Sequence, residues 1–190
     1  MKRATSSALA GLLLVPLTPT VADASAEPND TESAIATYNG NAIRLAESWE
    51  GAHACAVLTE TDIRCFDTEN EMHDALKAAA QKDTESWPAS SALSCGVSEV
   101  AILYDGVGFS GDILAFQTTF LWANLANFGF DNRMESWVNN RYCDAKVADG
   151  TGGTGGQLTL SARSNSPTVG AWKNIASSEY VPVSYTHLRA

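Results

Sequence analysis

The chain has 190 residues, 45% of them hydrophobic, and a formal net charge of −10. This acidic balance argues against nucleic acid or an anionic membrane surface as a partner. Beyond the N-terminus no segment is apolar enough to span a bilayer, which takes about 20 residues, so no membrane span is expected.

The N-terminus has the pattern of a secretory signal. Lys2 and Arg3 precede an apolar stretch at residues 8–17, and the small residues up to Ala26 form a cleavage site. We therefore expect residues 1–26 to be removed and the protein to be secreted into the extracellular space. Removal takes away two positive charges and one negative charge, so the net charge changes from −10 to −11.

The mature N-terminus combines a disordered stretch with a small α+β region. Residues 27–36 are small, acidic and aperiodic, which predicts disorder. Within the region 37–82, apolar runs at residues 54–58 and 63–66 flank a polar turn and predict a β-hairpin. This region is small for an independent core, so it is either a mini-domain or a layer packed against the segment C-terminal to it.

A helix is predicted after this hairpin. Thr68 and Glu71 form a capping box, and the helix is expected to run to about residue 82. The apolar residues that share one face are Met72, Leu76 and Ala79. Residues 83–93 are polar and contain Ser and Pro, which predicts a linker.

The four cysteines fit an oxidising compartment. The sequence alone allows three connectivities. We favour Cys55–Cys65, which closes the predicted hairpin. We also favour Cys95–Cys143, which joins the two ends of the first copy of the repeat described below. The larger loop should constrain the unfolded chain by roughly 4 kcal/mol. No pair of cysteines has the close spacing of a zinc site.

The C-terminal half contains an internal repeat. Residues 104–116 align without a gap with residues 148–160, and residues 130–136 align with residues 172–178. The first alignment shares Asp105/Asp149, Gly106/Gly150, Gly108/Gly152, Gly111/Gly155 and Leu114/Leu158. A unit of roughly forty residues seen twice predicts two copies of one supersecondary element with a common core. Short β-branched and aromatic runs between Gly-rich turns predict that this core is an antiparallel sandwich.

The first copy has the residues of a folded hairpin. Gly106 and Gly108 allow positive φ, Gly111 permits close backbone approach, and Phe109 can fold back over Tyr104 as an aromatic lid. Trp122, Trp137 and Trp172 lie in or near the repeated segments and are expected to pack in the core.

These residues resemble the Greek-key motif of the βγ-crystallin superfamily. Its aromatic, acidic, aromatic and glycine positions are matched by Tyr104, Asp105, Phe109 and Gly111. The second copy matches less well, because Ala148 and Gly153 replace both aromatics. The resemblance implies a mainly β, two-motif Greek-key sandwich over residues 94–181, preceded by the small hairpin-plus-helix region. Residues 182–190 differ in composition and are expected to be a tail without function.

A single such domain behind a signal peptide, with cysteines bracketing its first motif, is similar to a secreted bacterial metalloproteinase-inhibitor family built on one βγ-crystallin domain. This resemblance implies a non-catalytic scaffold that presents a loop to extracellular peptidases. Residues 118–121 and 161–170 are candidate loops by polarity and position, and no inhibitory loop is identified by residue match. A further alternative makes residues 27–90 the functional module. The oligomeric state is left open.

The resemblance also implies candidate calcium ligands. Calcium takes 6–8 oxygen ligands, and the paired motifs of this family supply a backbone carbonyl and a Ser/Thr hydroxyl. The candidates are Asp131, Asn132, Glu135, Asn174 and Ser177. Lys173 should weaken one site, and Glu135 either adds a carboxylate or blocks the pocket. If these residues bind calcium, the resemblance implies a calcium-binding stress or envelope protein. Alternatively, the same side chains only stabilise turns through bonds to the backbone, and the protein requires no cofactor.

Enzyme-like patterns lack their structural context. Residues 150–155 fit GxGxxG, but a strand is expected after them where a dinucleotide fingerprint needs a helix. Residues 108–112 miss the last glycine of a nucleophile elbow. His53, His73 and His187 are interpreted as surface residues without partners. The sequence therefore predicts no enzyme.

Overall fold

A computed structural model describes residues 33–84, 95, 99–117 and 121–182. Within these residues the helical elements are α1 (Glu69–Thr84) and short 3-10 helices at Leu125–Phe128, Thr151–Gly153 and Gly170–Trp172. The strands are β1 (Ile35–Tyr38), β2 (Asn41–Arg44), β3 (Ala54–Val57), β4 (Ile63–Phe66), β5 (Ala101–Gly106), β6 (Ser110–Phe116), β7 (Ala123–Asn124), β8 (Ser136–Asn139), β9 (Ala145–Ala148), β10 (Gln157–Leu160), β11 (Ser164–Ser166) and β12 (Ser178–Tyr180).

The described strands form two sheets that exchange one strand in each direction. The first sheet has the order β11-β8-β5-β6-β3-β4-β1-β2, and the second has the order β10-β9-β12-β7. The first motif contains β5 to β8, and its third strand, β7, pairs in the second sheet. The second motif contains β9 to β12, and its third strand, β11, pairs in the first sheet. This reciprocal exchange is a two-motif Greek-key sandwich, as predicted.

The N-terminal region continues the first sheet. Strand β3 pairs parallel with β6, with Cys55 opposite Leu114, so the predicted hairpin adds strands to the first motif. Helix α1 lies on the outer face of that sheet, where Met72 is buried against a cluster that includes Ile102 and Ile113. The strands of the N-terminal region thus extend the first sheet, and its helix covers one face of that sheet.

The main core lies between the sheets. It contains apolar residues of both motifs and of the N-terminal region, among them Leu45, Leu103, Phe116, Phe130, Val147 and Leu160. Both favoured disulfides are present: Cys55–Cys65 joins β3 to β4 at opposing positions, and Cys95–Cys143 closes a sequence separation of 48. In the described part of the chain no helix is long and apolar enough to cross a membrane.

A second hairpin precedes the predicted one. Strands β1 and β2 meet at a turn in which Asn39 (φ 49°) and Gly40 (φ 80°) are both left-handed, the geometry that favours Asn-Gly. Strand β1 includes Ile35 and Ala36, the last two positions of the stretch predicted to be disordered. The alternating pattern is faint because only one side chain of each strand, Ala36 and Ile43, is buried.

The ends of the predicted segments lie partly outside the described residues. Helix α1 continues to residue 84, and most of the predicted linker at 83–93 is not described. Of the predicted tail at 182–190 the structure describes Pro182, which is buried and whose carbonyl accepts a hydrogen bond from the Arg141 guanidinium (2.7 Å).

Candidate functional site

Each motif begins with a folded hairpin that is closed by an aspartate. In the first motif the Asp112 N–H donates to Asp105 Oδ1 (2.6 Å), and in the second the Gly156 N–H donates to Asp149 Oδ1 (2.8 Å). The aspartate therefore binds the backbone seven residues further on in both copies. This repeated bond explains why the Asp is shared by the two aligned segments.

A serine fastens each hairpin to the last strand of its own motif. Ser136 Oγ donates to the Gly106 carbonyl (2.6 Å) and accepts from the Phe109 N–H (3.1 Å). In the second motif Ser178 Oγ makes the equivalent bonds to Gly150 O (2.6 Å) and Gly153 N–H (3.0 Å). Both hairpin tips are thus held from two sides.

The aromatic lid is rebuilt from different residues in the second motif. In the first, Phe109 packs edge-on against Tyr104 with ring centroids 5.8 Å apart, as predicted. In the second, the Trp122 ring covers Gly153 so closely that a Cβ there would overlap it, and Trp122 packs against Tyr180 in a tilted arrangement with ring centroids 5.7 Å apart. The loss of both aromatics in the repeat is offset by side chains that no alignment of the two copies could reveal.

The structure brings the two loops of candidate calcium ligands together. Asn132 (φ 55°) and Asn174 (φ 58°) both adopt left-handed backbone conformations. The Asn132 N–H donates to Ala176 O (2.9 Å), and the Asn174 N–H donates to Met134 O (3.0 Å). The loops therefore exchange equivalent backbone hydrogen bonds between motifs.

One group of candidates centres on Glu135. Lys173 Nζ lies 2.9 Å from Glu135 Oε2, and Asn174 Nδ2 donates to Glu135 Oε1 (3.2 Å). The Glu135 side chain is 14% exposed. The hydrogen bond from Lys173, assisted by that from Asn174, lowers the pKa of Glu135. This carboxylate is ionised and already has a cation beside it. We name Glu135, Lys173 and Asn174 the lysine site.

The other group contains Asp131, Asn132 and Ser177, and we name it the aspartate site. Asn132 Nδ2 donates to Asp131 Oδ2 (2.7 Å), and Ser177 is largely buried, with its carbonyl accepting from the Leu125 N–H (2.9 Å). Its residues supply oxygen atoms of the kind that calcium prefers. In the described part of the chain no three His, Cys, Asp or Glu side chains are grouped to hold a metal.

A charged cluster joins the N-terminal layer to the first motif. Arg133 Nη2 contacts Asp105 Oδ2 (2.5 Å) and Asp112 Oδ2 (2.7 Å), and His53 Nδ1 lies 3.0 Å from Asp112 Oδ1. The guanidinium also packs over the Trp49 ring, 5.6 Å from its centroid. The prediction that His53 has no partner is therefore wrong: the parallel β3–β6 pairing, invisible in the sequence, brings it to Asp112.

The other enzyme-like patterns have structural roles or lie outside the described residues. The GxGxxG stretch forms a 3-10 turn at Thr151–Gly153 and runs into β10, as expected for a hairpin. His73 also has a partner, because its Nε2 lies 3.3 Å from Glu69 Oε1. Glu69 accepts the Tyr104 hydroxyl as well (2.8 Å), and burial together with this carboxylate raises the pKa of Tyr104. His187 lies outside the described residues.

Two ionisable side chains, Glu179 and Arg141, are buried in the domain. Glu179 is fully buried on β12, opposite the core residue Val147, and among the described residues neither of its carboxyl oxygens has a hydrogen-bond partner. Arg141 is also buried and donates to the carbonyls of Glu99 (2.9 Å) and Gln117. Burial raises the pKa of Glu179, which the charge of Arg141 opposes in part. Nothing in the sequence pattern marked either residue.

No protein-family model and no curated protein matches the chain. Several solved structures are similar to the chain. A βγ-crystallin from Ciona intestinalis is 23% identical, and the match covers 44% of this chain and 99% of that one with a TM-score of 0.38. The N-terminal domain of Protein S is 19% identical, covering 44% and 96% with a TM-score of 0.39, and a βγ-crystallin from an archaeon is 15% identical, covering 44% and 98% with a TM-score of 0.35.

These similarities concern the fold alone. The assignment of a Greek-key sandwich rests on the strand exchange between the two motifs. The resemblance to metalloproteinase inhibitors stays a prediction.

Proposed function

We propose that the protein is a secreted, non-catalytic inhibitor of extracellular peptidases that presents the β5–β6 turn to its target. The observation that carries this proposal is the exposure of apolar side chains on a fixed turn. Val107 is 51% exposed and Phe109 is 37% exposed. Because apolar groups held out to solvent favour contact with a partner, this turn is a part of the described surface that suits recognition.

The turn is held in place by other elements of the sandwich. The Gly108 N–H donates to the Pro167 carbonyl (2.7 Å), and the Phe109 N–H donates to Ser136 Oγ (3.1 Å). A segment fixed before binding loses little conformational entropy on binding, which is how a small scaffold gains affinity. The disulfides and the secretory pattern of residues 1–26 support an extracellular location.

The two loops first considered as inhibitory segments fit this proposal differently. Of the candidate loop at 118–121 the structure describes Leu121, which is exposed, and residues 118–120 lie outside the described residues. The loop at 161–170 contains β11 and the Pro167 carbonyl that supports the β5–β6 turn. The second loop therefore serves as a brace for the turn, and the turn replaces it as the presented segment.

The test measures inhibition of thermolysin-like metallopeptidases and of serine peptidases by the purified protein without residues 1–26. Val107→Asp should weaken inhibition at least tenfold, because it places a charge where an apolar contact forms. Thr151→Asp is the matched control, since Thr151 holds the same position in the second hairpin and should leave inhibition unchanged. The proposal fails if no peptidase is inhibited or if the two variants lose inhibition equally.

We propose calcium binding at the aspartate site as a second candidate function. It is supported by the oxygen-bearing residues Asp131, Asn132 and Ser177, on loops held together by backbone hydrogen bonds. A ligand that binds only the folded protein raises its stability. Millimolar calcium should therefore raise the melting temperature of the wild type, and a melting temperature that calcium does not change would remove this candidate.

A further inference from the structure

We infer that the ammonium group of Lys173 is a built-in replacement for a bound cation at the lysine site, so that the two equivalent loop sites of this domain differ in kind. The lysine site is closed to calcium by the chain itself. The aspartate site carries no such replacement among its own three residues. This inference rests on the calcium candidate only for the identity of the ion that the lysine excludes.

The equivalence of the two sites follows from the repeat and from the backbone. The repeat places Lys173 opposite Asp131, Asn174 opposite Asn132 and Glu135 opposite Ser177. The backbone bonds agree, because the Val169 N–H donates to Glu135 O (3.0 Å) as the Leu125 N–H donates to Ser177 O (2.9 Å). The two sites thus have equivalent backbone arrangements and differ in their side chains.

The two side chains that distinguish the lysine site from the aspartate site have opposite charges and contact each other. Where the aspartate site has an acid and a hydroxyl, the lysine site has Lys173 and Glu135, with Nζ and Oε2 2.9 Å apart. Asn174 donates to the other carboxylate oxygen (3.2 Å), so both oxygens of Glu135 have donors. The pair is neutral, and it joins one motif to the other as a shared metal ion would.

Calcium does not fit the lysine site while Lys173 is present. A divalent ion at Glu135 would lie beside a positive charge and would have to displace the ammonium and amide donors. Without the lysine, the Glu135 carboxylate and the Asn174 amide oxygen remain, and both are hard oxygen ligands of the kind that calcium takes. Removing one charge should therefore convert the site.

The test compares Lys173→Ala with the wild type by thermal melting and by calorimetric titration with calcium. In EGTA the variant should melt about 2 to 4 °C below the wild type, because Glu135 has lost its cation. Millimolar calcium should restore the variant, which should bind one more calcium ion per chain than the wild type. Lys146→Ala, which removes an exposed lysine from β9, is the control for net charge and should respond as the wild type does.

Two results would overturn the inference: a variant that melts as the wild type does in EGTA, or one whose response to calcium equals that of the wild type. Lys173→Arg keeps the charge and should gain no calcium site. The calcium response of the wild type alone reports on the aspartate site. Failure of the second candidate function is therefore seen in the wild type, and failure of this inference in the difference between variant and wild type.

Discussion

The buried carboxyl of Glu179 should make the stability of the protein depend on pH in an unusual direction. The side chain is fully buried between the sheets, and neither oxygen is hydrogen-bonded within the described part of the chain. Burial raises its pKa well above the unfolded value of about 4.3. Because the folded-state pKa is the higher one, the folded protein binds this proton more tightly than the unfolded chain does.

The sign of the effect follows from this difference. The contribution of Glu179 is complete below about pH 4.3 and is lost as the pH rises through the folded-state pKa. Between the two pKa values each pH unit should cost the wild type up to about 1.4 kcal/mol of unfolding free energy. The Glu179→Gln variant keeps the shape of the side chain and cannot titrate. As the pH rises between the two pKa values, its unfolding free energy should therefore increase relative to that of the wild type by up to about 1.4 kcal/mol per pH unit.

The assay is urea unfolding of both proteins from pH 4 to pH 8, with the difference between their unfolding free energies plotted against pH. All other titrating groups cancel in that difference. Glu60→Gln removes an exposed carboxyl and serves as the control. A difference that is independent of pH would refute the reasoning. If the unfolding free energy of the wild type instead increases relative to that of the variant as the pH rises, Arg141 holds the Glu179 carboxylate in its charged form.

Two further predictions concern the hairpins and the disulfides. Gly155→Ala should destabilise the protein by about 1 to 3 kcal/mol, because φ is +78° and a Cβ would overlap the Asp149 carboxylate; Gly152→Ala, with φ +60° and open space, should cost about 1 kcal/mol. Equal urea midpoints for the two variants would contradict this. Replacing the cysteines at 95 and 143 by serine should cost about 4 kcal/mol, and those at 55 and 65 about 3 kcal/mol, in the loop-entropy account. The reverse order in urea unfolding would contradict it.

Features that the sequence predicted correctly depend on local chemistry. The Asp and Gly pattern of the repeat predicts a folded hairpin, and in both copies the aspartate binds the backbone seven residues further on. The cap of helix α1 is formed in part as predicted: the Glu71 N–H donates to Thr68 Oγ1 (3.3 Å), whereas the Glu71 carboxylate accepts from the Asp67 N–H (3.2 Å), one residue before the cap. The cap and the aspartate bond of each hairpin are readable because their partners lie within seven residues along the chain.

Features that the sequence did not predict depend on contacts between distant segments. Strands β7 and β11 have two and three residues, too short for a hydrophobic period, and are fixed only by pairing with the other motif. The contact between His53 and Asp112 follows from parallel pairing of β3 with β6. Trp122 replaces the missing aromatics of the second motif from outside the aligned segment.

The account depends most on the β5–β6 turn being fixed in the free protein, and amide hydrogen exchange measures this directly. The Gly108 and Phe109 amides donate to Pro167 O and Ser136 Oγ, so they should exchange as slowly as the amides of the flanking strands. Ser136→Ala should speed exchange at Phe109 and leave Gly153 in the other hairpin unchanged. Exchange of both turn amides at the rate of an unstructured chain would contradict the account.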